Sequence, residues 1–179
     1  MKQPDVLIEL IERSFGHRLI PAKAIEMEGR LQIDSDIDDA LWFQGRDWRD
    51  LTLEDWRRKH WGFNFLSPEG YVYYLQSILI LTLRNPKEYP DLAVDSFLWK
   101  LDRSPGVENL DPAIYDRYLP LTNEEFEALK QWILWACENI PDVFYGAASG
   151  GPGDGFGRAF DTLTLLQAEA ERFRNCEDR

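Results

Sequence analysis

The chain has 179 residues, 32 of them acidic and 20 basic, for a net charge of −12. That balance argues against a nucleic-acid binder or a protein held on anionic lipid, both of which need clustered Lys and Arg. Apolar residues make up 44% of a length that suits one domain; this is too apolar for disorder, and long enough to bury a core without disulfides or metal.

In chain order, apolar positions 7, 10, 11, 14 and 15 recur at helical spacing, so Pro4 to Phe15 reads as a first helix stopped by Gly16. Glu9 and Glu12 interrupt what would be the apolar core of a signal peptide, so none is expected there. Ile25, Met27, Leu31 and Ile33 alternate around Glu28-Gly29, which fits a small hairpin near 24–33. A helix from Asp36 to Gln44 follows. Thr52 with Asp55 resembles a capping box and predicts a short helix from Leu53 to His60.

Ser67-Pro68-Glu69 is a stronger start: a capping hydroxyl, proline at the first helical position, and an acid in the positive first turn. Val72, Leu75, Ile78, Leu79 and Leu83 form its stripe, and further apolar residues continue around it, so this helix should be central. Its run from Tyr71 to Leu83 is shorter than the roughly 20 residues that span a bilayer. No membrane segment is expected, and the expected location is the cytoplasm. Asn85-Pro86 ends the helix.

A further helix begins at Pro90, with Val94, Phe97, Leu98 and Leu101 inward, and ends at Ser104-Pro105-Gly106. Residues 105–121 read as a long connection with one turn near Ile114. Thr122 with Glu125 is a good capping box, and Phe126, Leu129, Ile133, Ala136, Cys137 and Ile140 mark the buried face behind it. Trp132 and Trp135 fall on its flank, and Cys137 reads as a small buried hydrophobe. Residues 146–157 hold six glycines and one proline and read as a flexible loop. The last helix, Phe156 to Phe173, carries an a/d-like seam of Phe156, Ala159, Phe160, Leu163, Leu166, Ala170 and Phe173. Docking of that seam onto the bundle is expected, with homodimerisation through it as the alternative. Together these elements predict a mainly α fold, a single-domain irregular helical bundle of about six or seven helices.

Three places could carry function. Asp34, Asp36, Asp38 and Asp39 look like a calcium loop, but Asp39 stands where glycine is needed and Gly45 where the bidentate glutamate is needed. Acids favoured by a helix dipole explain them more simply, with a divalent metal or a basic partner as the alternative. The stretch from Arg46 to Trp61 interleaves Trp48, Trp56 and Trp61 with Arg57, Arg58 and other cations. Its acids nearly cancel the charge, so a salt-bridged helix or a protein-contact patch is expected rather than a nucleic-acid groove. The glycine-rich segment places Asp154 and Arg158 at a helix start, where backbone amides could hold an anion. It lacks the Lys and Ser/Thr of a P-loop, and Asp154 would repel phosphate.

His17 and His60 have no ligand partner at zinc spacing, Cys137 and Cys176 no second cysteine at metal spacing, and no carboxylate spacing picks out an acid–base pair. No catalytic, cofactor or metal residue is therefore assigned.

The run Phe65-Leu66-Ser67-Pro68-Glu69-Gly70-Tyr71-Val72-Tyr73-Tyr74-Leu75 resembles the F-L-S/T-P-E-x-aromatic-x-Y-Y-L segment of an uncharacterised bacterial domain family. Trp48, Leu51-Thr52 and the segment from Leu121-Thr122 to Ile133 fit it as well, so the likeness covers about residues 48–138. Gln76-Ser77 stand where that family often has Pro-Ala. The resemblance implies a bacterial, cytosolic, helical protein and carries over no site. The expected role is a non-catalytic protein-interaction domain, by analogy immunity- or inhibitor-like, with an unidentified protein partner. The alternatives are an enzyme site under the glycine-rich loop, built from Asp154, Arg158 and acids such as Asp36 or Asp38, and an acidic DNA mimic.

Overall fold

Helix α1 spans Pro4–Phe15, with proline in its first turn and Leu7, Leu10, Ile11, Ser14 and Phe15 turned inward. The computed structural model describes residues 3–25, 34–102, 112–140 and 154–177. Within them follow α2 (Asp34–Phe43), a 3-10 turn (Trp48–Asp50), α3 (Leu53–Lys59) and a second 3-10 turn (His60–Phe65). Then come α4 (Pro68–Arg84), α5 (Asp91–Leu101), α6 (Pro112–Tyr118), α7 (Asn123–Asn139) and α8 (Asp154–Glu177). The fold is mainly α, with eight α-helices among the described residues.

Helix α4 is the centre. Every residue from Gly70 to Ile80 is buried, and α1, α5 and α6 pack against the helix. A helix apolar on all sides can only be stable when enclosed in this way. Two of the polar groups it carries inside are hydrogen-bonded, Ser77 Oγ accepting from Trp56 Nε1 at 2.9 Å and Thr82 Oγ1 donating to Ile78 O at 2.7 Å, while the Tyr73 hydroxyl and Gln76 Oε1 have no partner among the described residues. The Tyr74 hydroxyl reaches back to the carbonyls of Phe43 and Arg46, tying the end of α2 to the centre.

Helix α7 packs on both α1 and α8. Trp132 and Trp135, expected on its flank, are core residues; Trp132 donates Nε1 to Leu79 O at 3.1 Å. A helix packed on two sides buries a wider arc than one stripe, and the flank is part of it. Cys137, expected inside, is half-buried. The α8 seam docks on α5 and α7: Phe156, Ala159, Leu163, Leu166 and Ala170 are buried, and Phe173 stands exposed beyond them.

Of the hairpin expected near 24–33, only residues 24 and 25 are described, and it is not borne out there. Among the described residues no strand forms, and Ile25 makes an isolated antiparallel bridge with Leu66. The backbone there serves the start of α4 instead. Ser67 donates its N–H to Ala24 O at 2.9 Å and its hydroxyl to Lys23 O at 3.0 Å. A Cβ on Gly70 would lie 2.5 Å from Ala24 O, so only glycine permits this approach. Residues 26–33 lie outside the described residues.

One acid on α5 lacks compensation. Asp95 is half-buried, its Oδ1 is sealed from solvent with no hydrogen-bond partner, and burial pushes its carboxyl up to about 6, with Asp91 one turn earlier adding to the effect. The folded state therefore holds this proton more tightly than the unfolded chain, whose carboxyl titrates near 3.8. The stability tied to the neutral form is fully present below that value and is lost as pH rises through about 6. Asp95→Asn should raise stability by about 1 kcal/mol at pH 7.5, a figure reduced for partial exposure, and change little near pH 4. Thermal melts at the two pH values check this; an equal shift at both would contradict it.

Candidate binding cleft

The segment between α1 and Ile25 is pinned rather than loose. Gly16 closes α1 with a hydrogen bond to Glu12 O, and Gln44 clamps the far end by accepting from Ala24 N at 2.8 Å and donating to Ala22 O at 2.9 Å. In the middle, Arg18 forks onto Glu125 of α7, Nε to Oε1 at 2.5 Å and Nη2 to Oε2 at 2.7 Å. Glu125 is fully buried and also accepts the Thr122 N–H at 2.8 Å, because it is the third residue of the α7 capping box. His17 Nε2 lies 4.0 Å from the same carboxylate. One carboxylate thus starts a helix and anchors a loop.

That anchoring holds apolar side chains out in water. Leu19 is 86% exposed and Ile20 42% exposed, on a segment whose backbone is fixed on both sides. A groove of about 530 Å³ runs along them, lined by His17 through Lys23 and by Glu69. A second groove of about 380 Å³ lies on the other side of Arg18 and Glu69, between the start of α4 and α6, with Tyr115, Asp116, Arg117 and Leu119 on its wall. The surface is concave, partly apolar and carries both signs of charge.

Beneath the second groove lies a cationic, aromatic layer. Phe63 and Tyr71 stack with centroids 4.4 Å apart; Lys100 Nζ lies 5.2 Å from each ring and donates to Asn64 Oδ1 at 2.6 Å. Arg117 covers the Tyr71 ring, its Cζ 4.8 Å from the centroid. The Tyr71 and Tyr118 hydroxyls are hydrogen-bonded at 3.0 Å. Burial pushes Tyr71 up to about 12, against the pull of Arg117, and raises Tyr118 well above its usual value, so both phenols stay neutral.

Of the residues singled out from sequence, the structure brings the aspartate-bearing α2 against the Trp-Arg stretch, while Arg158 is engaged elsewhere, by Asp102. Trp48 and Trp56 are buried, while Trp61 is 55% exposed. Arg57 and Arg58 are exposed, and Arg58 pairs with Glu54 at 2.7 Å one helical turn away. Asp38 is exposed, and Asp39 pairs with Lys59 at 2.7 Å. Asp34 and Asp36 lie in the first turn of α2, and Asp154 begins α8. Their side chains lie outside the description, as does the glycine-rich segment up to 153. Arg158 is engaged by Asp102 through both ends of its fork, the Nη2 contact at 3.2 Å. No group of His, Cys, Asp and Glu among the described residues could hold a metal ion. No described helix is long and apolar enough to cross a membrane.

Sequence reasoning did not single out Arg18, Arg117 or Leu19. The Leu19-Ile20-Pro21 triplet outside any helical period was the available signal. No family model, curated protein or solved structure matches the chain. The resemblance of its Phe65–Leu75 segment to an uncharacterised family brings no residue role, and the reading of the cleft rests on its geometry.

Proposed function

We propose that the protein is a non-catalytic, cytosolic protein-interaction domain, and that the loop from His17 to Lys23 with its flanking grooves is its contact surface. One observation carries the reading: Leu19 is held almost fully in water on a segment fixed by a part-buried, bidentate ion pair. Exposed apolar side chains scattered over a surface need no explanation, but a rigidly presented pair beside two grooves is how binding surfaces reduce the entropy lost on association. Charged groups of both signs around it would set register and exclude wrong partners. The role is that of a domain that scaffolds or neutralises one protein.

The test is affinity purification from the native host with wild type and with Leu19→Asp/Ile20→Asp. Both positions are exposed, so the double variant should match wild-type stability within about 0.5 kcal/mol. The expected result is one stoichiometric protein retained by wild type and absent with the variant. Equal retention by both, or no stoichiometric protein at all, would count against the reading.

A further inference from the structure

The groove between α4 and α6 holds a group that a contact surface does not require. Arg117 is only 5% exposed, yet no carboxylate among the described residues pairs with it. It donates Nη2 to Asn64 O at 3.3 Å and rests on the face of Tyr71. Among the described residues its Nε and Nη1 find no hydrogen-bond partner, and neither is among the buried atoms sealed from solvent. Arg117 lines the groove. A guanidinium held flat by stacking, with part of its fork open beside a cleft, is arranged to receive a carboxylate.

The rest of the groove narrows the ligand. Glu69 and Asp116 are exposed carboxylates on the same walls. Arg18, the other guanidinium there, is engaged by Glu125. One available cation against two anions disfavours a dianion such as phosphate and favours a ligand that brings its own positive charge. Val72, Tyr115 and Leu119 supply an apolar wall, and a volume of about 380 Å³ suits a small molecule.

We propose that this groove binds a small zwitterion of the α-amino-acid type. Its carboxylate meets Arg117, its ammonium meets Glu69 and Asp116, and an apolar side chain lies against Tyr115 and Leu119. This goes beyond the partner-binding reading and does not depend on it.

The experiment is calorimetric titration of the full chain with leucine, phenylalanine and glycine. Isoamylamine, 4-methylvalerate and inorganic phosphate serve as comparators. An apolar amino acid should bind one-to-one with a Kd of about 1 mM or tighter, and the analogues lacking either charge at least about tenfold more weakly. Asp116→Asn should weaken binding about fivefold or more, and Arg117→Lys should remove most of it, because a point charge cannot replace the fork. Asp116 is exposed, so that variant tests the proposal even if the buried Arg117 variant folds poorly. The proposal is overturned if no amino acid binds at about 10 mM, if phosphate binds more tightly than any of them, or if Asp116→Asn leaves the affinity unchanged.

Discussion

Replacing Arg18 by alanine is expected to destabilise the protein by about 3 kcal/mol, among the largest effects of any polar substitution. The reason is asymmetry between the partners. Glu125 has no exposure and is fixed at the start of α7 by the Thr122 amide, so it cannot turn to water when the guanidinium is removed. It must remain as an uncompensated buried charge or take up a proton. Arg18 is 18% exposed and can swing outward. Glu125→Gln keeps a capping side chain and should cost about half as much. In the double variant no buried charge is stranded, so its loss should be smaller than the sum of the two single losses. Urea denaturation of the three variants checks the order. A double variant equal to the sum would show that the two residues act independently.

The second large effect is expected at Gly62. A Cβ there would lie 2.6 Å from the Asp39 carbonyl carbon and 2.7 Å from both Ala40 N and Asp39 O, all backbone atoms of α2. Backbone cannot rotate away as a long side chain does, so Gly62→Ala must push α2 off the turn that supports it. Phe43 is packed against Trp56 with ring centroids 4.9 Å apart, and Lys59 holds Asp39, so the displacement spreads into the core. A loss of about 3 kcal/mol is expected, or roughly 6–12 °C in Tm for a chain of this size. Gly157 is the control: a Cβ there meets nothing within 4 Å, and alanine should leave α8 unharmed or slightly more stable. Similar melting losses for both variants would rule out the close-approach explanation.

Much of the fold is written in local signals. The Thr52 and Thr122 capping boxes and the Ser67-Pro68 start lie where spacing places them, because a cap is chemistry within four residues. The burial of Trp132 and Trp135 is not local. It follows from α1 and α8 arriving on two sides of α7, and one helical period cannot report that. Ile25, at the described edge of the expected hairpin, likewise finds its bridge partner far along the chain, at Leu66. The cleft was least legible of all. Glu125 is visible as a capping residue, but its pairing with Arg18 spans 107 positions.

The enclosure of α4 has a consequence during synthesis. One of its apolar faces leaves the ribosome well before the residues that cover it; the indole that bonds to Leu79 is added 53 residues later. At about 5–20 residues per second, that is roughly 3–10 s in which the part of α4 that Trp132 covers stays open. Helix α1 is already available to shield one side, and it packs on α4 in the finished fold. The first helix is thus placed to act as an early cover for the nascent centre, ahead of any role beside the grooves.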